Sequence, residues 1–284
     1  MEWISNSRIL IVGLGLIGGS YAKALKRLGF HVTAIEKRRS AVDFALANGI
    51  VDEAYTSVVG DVVASADAVI FGLYPKVFVE WIESYQQYFR SGAMITDVTG
   101  VKSCIVYDIQ RMLRDDVEFI ASHPMAGKEV YGVENADDAI FRGANFIITP
   151  TEQNTQSAIA WAQSMGRLLG FCHIAVLSPE EHDEMIGYLS QLTHCIAVAL
   201  MTCSDNQHLV DYTGDSFRDL TRIANINDAM WSELFMLNRE MLLRYMDIFS
   251  SEFLSMRDMI EKGDVESLRE KMRLSTERRA YFNR

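Results

Sequence analysis

Gly13-Leu14-Gly15-Leu16-Ile17-Gly18 follows the apolar run Ile9-Leu10-Ile11-Val12 directly and leads into an amphipathic segment. A strand, a glycine turn and a helix in that order constrain the fold more than any other feature of the chain. Gly13 makes the tight turn, Gly15 lets backbone approach a pyrophosphate, and Gly18 lets helix and strand pack closely. The unpaired N–H groups at the helix start, at Leu16 and Ile17, then face the phosphates. Glu36 closes the second β-rich run, 18 residues after Gly18. A carboxylate there accepts from both ribose hydroxyls and repels a 2′-phosphate, so NAD is expected rather than NADP. Lys37, Arg38 and Arg39 follow at once and soften that preference. A glycine turn without ligand, or a methyltransferase-type use of the turn, are the competing readings.

Over roughly the first 150 residues, short β-rich runs alternate with helical patterns, the signature of a parallel sheet with crossover helices in an α/β fold. The expected strands are Arg8 to Gly13, His31 to Glu36, Ala68 to Leu73, Ala93 to Val98 and Val117 to Ser122. A helix from about Leu16 to Leu28 should stop at Gly29. Two further strands, Asn145 to Thr149 and Phe171 to Val176, flank a helix centred on Trp161 and are expected to extend the same sheet. At Ser178 the texture changes. Ser178-Pro179-Glu180-Glu181 reads as a capping box with proline at the first helical position. Beyond it, strand-like runs nearly vanish, which divides the chain into 1–177 and 178–284. A helix from Asp228 to about Gly263 would be roughly 50 Å long at 1.5 Å per residue. Its broad apolar stripe is expected to pack on a second subunit, the alternative being a hairpin partner within the chain. A last helix is placed at Val265 to Tyr281. The methionines of this half (Met230, Met236, Met241, Met246, Met256, Met259) suit adaptable packing at such an interface.

Composition excludes several classes. The 284 residues carry 27 Lys plus Arg against 38 Asp plus Glu, a net charge of −11. Neither half is basic, so no nucleic-acid surface is expected, because phosphate neutralisation needs clustered cations. The four cysteines (Cys104, Cys172, Cys195, Cys203) include no CxxC, and no histidine stands at zinc-ligand spacing. They read as reduced thiols in a cytoplasmic protein without a metal site. With a core strand expected from Arg8, no secretory leader is expected. The longest uncharged stretch, Met185 to Ser204, is interrupted by polar residues and reads as a buried helix rather than a membrane span.

A dinucleotide fold does not name a reaction. Three strand ends place polar residues where the crevice of an open sheet should lie: Leu73-Tyr74-Pro75, Asp97 to Lys102, and Ser122 to Gly127. His123 is either a site residue or a solvated loop histidine. His194, in an apolar helical segment, is by position more often a core histidine. Arg218 and Arg222, four apart, read plainly as a surface face.

GLGLIGGS near the start, TDVTGVK at Thr96 to Lys102, SHPMAGKE at Ser122 to Glu129 and FRDLTRIA at Phe217 to Ala224 together resemble the prephenate dehydrogenase family, whose relatives include arogenate and cyclohexadienyl dehydrogenases. The resemblance covers nearly the whole chain in order. It implies a Rossmann-like N-terminal domain, an all-helical C-terminal domain that forms a homodimer, and a site between them. It implies NAD and a dicarboxylate substrate, oxidised and decarboxylated to 4-hydroxyphenylpyruvate in tyrosine biosynthesis. By this resemblance His123 accepts from the C4 hydroxyl of the substrate, and Arg222 binds a substrate carboxylate. His194 helps hold the substrate with Trp231 beside it. Glu129 sits at the mouth of the site, with Asp219 as a partner.

Two departures stand out. Many relatives carry a serine where this chain has Gly100, and that serine supports the catalytic histidine. Thr99, the neighbour, or a water is expected to supply the hydroxyl. Lys128 stands where relatives often have a small hydroxylated residue, and is expected either to pair with Glu129 or to offer the substrate a cation. Arogenate is the alternative substrate. A regulatory sensor that binds NAD without turnover is a reading of a different class. A 3-hydroxyacid dehydrogenase fits poorly, because no lysine occurs between Lys128 and Lys262. Tyrosine feedback, if present, is expected at the active site.

Overall fold

The computed structural model describes residue 3 and residues 7–282. Its main sheet comprises β1 (Arg8–Val12), β2 (His31–Ile35), β3 (Glu53–Tyr55), β4 (Ala68–Phe71), β5 (Met94–Asp97) and β6 (Glu118–Phe119), in the order β3-β2-β1-β4-β5-β6. All pairs are parallel, and the order reverses direction between β1 and β4. Strand residues alternate between two cores. Ile9, Ile11, Val32, Ala34 and Ile70 pack under helices Leu16–Arg27 and Gln156–Leu169. Leu10, Val12, Val69, Phe71 and Ile95 pack under helices Pro75–Tyr85 and Val106–Met112. Burial on both faces explains why these strands read as continuous apolar runs.

The expected strand Val117 to Ser122 is two strands. After β6 the chain peels away: Ile120 N–H still reaches Ile95 O at 2.9 Å, but Ser122 N–H bonds the Asp97 carboxylate at 3.1 Å. A side chain there replaces the next ladder acceptor, and the strand restarts as β7 (Ala121–Met125). Contrary to expectation, β8 (Asn145–Thr149) and β9 (His173–Val176) do not extend the parallel sheet. They join β7 in a separate three-stranded sheet, β7 antiparallel and β9 parallel to β8. Pro124 lies on the edge strand β7, where its missing N–H costs least.

The Ser178 capping box is formed, and its helix runs through to Thr202, 24 residues from Pro179. Gly187–Leu192 is a π-helical turn that interrupts the α-helical hydrogen bonding. The expectation that this segment is buried needs correction: by length and composition it could cross a membrane, and it is only partly covered within the chain. Met185, Tyr188, Leu189 and Met201 remain exposed. The long helix expected from Asp228 is also broken, into Asp228–Leu237 and Arg239–Lys262. Asn238 between them takes φ −118° and ψ 30°. Its buried amide donates to Asp183 O at 2.8 Å and to Gln191 Oε1 at 2.9 Å, so tertiary bonds hold the break. The second piece is about 36 Å long at 1.5 Å per residue. It turns at Gly263 (φ 68°) into a hairpin with Val265–Arg279, tied by Lys271 to Glu252. Phe249, Phe253, Leu254 and Ile260 stay exposed despite that hairpin.

Candidate active site

A cleft of about 750 Å³ lies between the C-terminal ends of β1, β4, β5 and β7 and the helices beyond Ser178. Its nucleotide end is the glycine turn. Gly13 takes φ +97°, and a Cβ there would stand 2.6 Å from Gly72 O. A Cβ on Gly18 would stand 2.0 Å from Gly13 O, so helix and turn touch backbone to backbone. A Cβ on Gly15 would meet nothing within 4 Å. Gly15 therefore leaves the approach to the helix open. That helix has no side-chain cap and no acidic residue in its first turn, so its first N–H groups, at Leu16 and Ile17, are available to an anion. Glu36 accepts from Leu14 N–H at 2.9 Å and from the Nε–H of Arg38 at 3.1 Å. Arg38 thus lies over the carboxylate expected to meet the ribose. An uncapped helix end, an unfilled glycine approach and a carboxylate at the neighbouring strand end fit a dinucleotide.

His123, on β7, is half-buried. Its Nδ1 lies 2.9 Å from His182 Nε2, which leaves Nε2 as the nitrogen open to the cleft. Burial, with the neighbouring His182 and the Lys102 ammonium, holds its pKa well below the ordinary imidazole value. His194 Nδ1 lies 2.8 Å from Ser190 O, and its ring stacks on Trp231 at 3.7 Å between centroids and 29° between planes. Burial also lowers its pKa, against the Ser190 carbonyl and the Glu129 carboxylate. The π-helical turn sets this up, bringing Ser190, Gln191 and His194 to the cleft from one helix. Arg222 is ion-paired with Glu129 at the cleft wall.

The structure brings His123, His194, Arg222, Glu129, Lys128, Trp231, Glu36 and the glycine turn to one cleft. It corrects three expectations. The Thr99 hydroxyl is buried, bonded to the Asp97 carboxylate and 3.0 Å from Val101 O, so it is not available to His123. Lys128 pairs with Asp137 at 2.8 Å, not with Glu129. Asp219 is exposed on helix Asp215–Thr221 and does not line the cleft. Gly100 does border His123, since a Cβ there would stand 3.9 Å from its Cε1.

Residues 21–171 match the family model for the prephenate dehydrogenase nucleotide-binding domain, and residues 178–274 the model for the prephenate dehydrogenase dimerization domain. The chain belongs to the prephenate dehydrogenase family. A prephenate dehydrogenase of Bacillus subtilis (strain 168) is 30% identical over 267 residues, covering 92% of this chain and 72% of the relative. A cyclohexadienyl dehydrogenase of Zymomonas mobilis is 28% identical over 279 residues, covering 95% and 94%. The crystal structure of prephenate dehydrogenase from A. aeolicus in complex with hydroxyphenyl propionate and NAD+ superposes with a TM-score of 0.89. It is 29% identical and covers 99% of this chain and 100% of that one.

Sequence reasoning missed the residues behind this family's cleft: Asp97, Lys102, His182 and Asp183. Lys102 Nζ donates to Asp97 Oδ2 and to Ser122 O, each at 2.6 Å, with both side chains fully buried. His182 and Asp183 are adjacent on a helix, where neighbours ordinarily face apart, so no spacing rule pairs them. The one available signal was the density of polar residues in TDVTGVK, too many for a solvated strand end.

Proposed function

We propose that this chain catalyses the NAD-dependent oxidative decarboxylation of prephenate to 4-hydroxyphenylpyruvate, with residues 1–177 holding the dinucleotide and 178–284 completing the substrate site. The observation that carries this reading is His123, whose Nδ1 is bonded to protein while Nε2 opens on a cleft shared with Arg222 and the glycine turn. The Leu16 and Ile17 amides would hold the pyrophosphate, and Glu36 the adenosine ribose. NAD+, when bound, accepts a hydride from C4 of the substrate.

His123 Nε2 takes up the proton of the C4 hydroxyl as that carbon is oxidised, a task suited to an imidazole that is neutral at neutral pH. Loss of carbon dioxide then returns an electron pair to the ring, and the ring oxygen recovers the proton from His123. Arg222 binds a substrate carboxylate with planar guanidinium geometry, so the carboxylate takes the place that Glu129 holds. His194, fixed through Nδ1 and stacked on Trp231, presents Nε2 to the substrate. In this reading the enzyme is a soluble, cytoplasmic homodimer. The partner covers the apolar faces left open by helices Pro179–Thr202 and Arg239–Lys262.

Steady-state rates with purified protein test the reading. Prephenate with NAD+ should give the highest kcat/KM, and a preference for arogenate with NADP+ would overturn it. Glu36→Ser tests the cofactor end separately. Removing the carboxylate while Arg38 remains should raise kcat/KM for NADP+ relative to NAD+ by about 10–100-fold, since one charge–charge repulsion of about 1.4–2.8 kcal/mol is lost. An unchanged ratio would show that Glu36 does not face the ribose.

A further inference from the structure

Behind the cleft, three side chains form a hydrogen-bonded chain of which the mechanism above uses only the outer end. His123 Nδ1 lies 2.9 Å from His182 Nε2, and His182 Nδ1 lies 2.7 Å from Asp183 Oδ1. His182 is fully buried and Asp183 nearly so. The Asp183 carboxylate is itself fixed from the segment that follows β5, accepting from Lys102 N–H and Ser103 N–H, each at 2.8 Å. We propose that His182 and Asp183 are positioning residues, forming with His123 a His–His–Asp relay that holds the His123 proton on Nδ1 and spreads the charge His123 acquires.

Donor and acceptor arithmetic fixes the direction. An ionised carboxylate only accepts, so the proton of His182 sits on Nδ1. A neutral imidazole has one N–H, so His182 Nε2 is a lone pair and can only accept. The hydrogen on the 2.9 Å contact therefore belongs to His123 Nδ1. That leaves His123 Nε2 as a lone pair facing the cleft, the form a base requires. The charged and titratable groups around the relay support the neutral state of both rings. Burial lowers the His182 pKa, with the Lys102 ammonium acting the same way and Asp183 and Asp97 opposing. Burial raises the Asp183 pKa, but its bonds from His182 and Ser103 prevail and keep it an anion.

The relay also acts during turnover. When the substrate hydroxyl proton binds Nε2, His123 carries a positive charge in a desolvated place. Its Nδ1 proton then moves toward His182 Nε2, which places the charge nearer the Asp183 carboxylate. No proton is gained or lost, because the one on Nε2 returns to the ring oxygen. Gly100, beside His123, offers it no side-chain hydroxyl, which makes this support more consequential.

The kinetic part rests on the prephenate reading; the proton positions do not. Long-range ¹⁵N–¹H spectra of histidine-labelled protein should show His123 and His182 both as Nδ1–H tautomers. Nε2–H at His123 would overturn the relay. In kinetics, His182→Ala should lower kcat about 10–100-fold, with KM and NAD+ affinity (by fluorescence titration) within about threefold of wild type. His182→Gln, whose carbonyl can accept from His123 Nδ1, should recover most of that loss. Asp183→Asn removes the anion and should move the acidic limb of kcat/KM to lower pH. A kcat within threefold for His182→Ala sinks the proposal. So does a parallel fall in kcat, substrate affinity and NAD+ affinity in which Gln is no better than Ala, the pattern of a purely structural role. If wild type does not turn over prephenate, the functional reading fails and the spectrum alone decides the relay.

Discussion

His123→Asn is expected to lose about 10²–10⁴-fold in kcat for prephenate while binding NAD+ as wild type does, the range for removing a positioned acid–base group. Asparagine keeps a short polar side chain with an N–H to offer His182, but it has nothing in the place of Nε2. The cofactor end of the cleft, from Gly13 to Gly18, is on other elements and is left intact. Stopped-flow or steady-state measurement of NADH formation, with a parallel NAD+ titration, checks both halves. A variant with kcat within tenfold of wild type would remove His123 from the chemistry. It would also revive the sensor reading, in which the residue is dispensable. The pH profile carries a second test. Burial holds the His123 pKa well below the ordinary value of about 6.5, so the base form persists through neutral pH. Activity should therefore be flat across neutrality and fall only on the acid side of that value. The same sign applies to stability. His123 and His182 both take up protons more readily unfolded than folded, so their contribution favours the fold above about pH 6.5 and is lost as pH falls below it.

Lys102→Met is expected to cost about 3–5 kcal/mol of stability, the largest effect of any single substitution away from the reacting atoms. Lys102 and Asp97 are both fully buried, with Nζ 2.6 Å from Oδ2. The ammonium also donates to Ser122 O at 2.6 Å and lies 3.2 Å from Thr99 Oγ1, so its three protons are all in use. Methionine fills similar space but strands a buried carboxylate and a backbone carbonyl. At about 2–4 °C per kcal/mol, the melting temperature should fall by roughly 6–20 °C. Adding Asp97→Asn should return a good part of the loss, because the stranded charge is then gone while the amide oxygen, set in the place of Oδ1, can keep the bond from Ser122 N–H. Calorimetry on the single and double variants measures this directly. A single variant within 1 kcal/mol of wild type, or a double variant no better than the single, would mean that Lys102 is not the counter-charge.

The Asp97–Lys102 pair also shows where sequence reading stopped. The run Asp97 to Lys102 was recognisable as polar and near a crevice, but nothing in it revealed that the charges face inward. Thr99 looked like a hydroxyl for the site, yet its side chain is committed to Asp97. Lys128 looked like a partner for Glu129, yet the loop carries it to Asp137, leaving Glu129 to Arg222. The break at Asn238 was hidden for the same reason. Its apolar spacing continues as if the helix did, and the bonds that stop it come from Asp183 and Gln191, about 50 positions earlier in the chain.

Sequence alone determined what depends on local order: the strand, glycine turn and helix, the Ser178 capping box, the change from α/β to helical texture, and the family motifs with His123 and Arg222. These are set by neighbours in the chain, through backbone freedom at glycine, helix-end hydrogen bonding and alternating burial. Tertiary structure decided which polar groups meet. It split the strand at Ile120, made a second sheet, and joined His123 to His182 across 59 residues of sequence and through it to Asp183. Desolvation is the reason. Once buried, each donor and acceptor must find a partner, and partners are chosen by proximity in the fold rather than by spacing along the chain. A chain of net charge −11 offers no general attraction to an anionic cofactor and substrate. In the function proposed, their binding rests on a few positions that only the folded chain brings to one cleft.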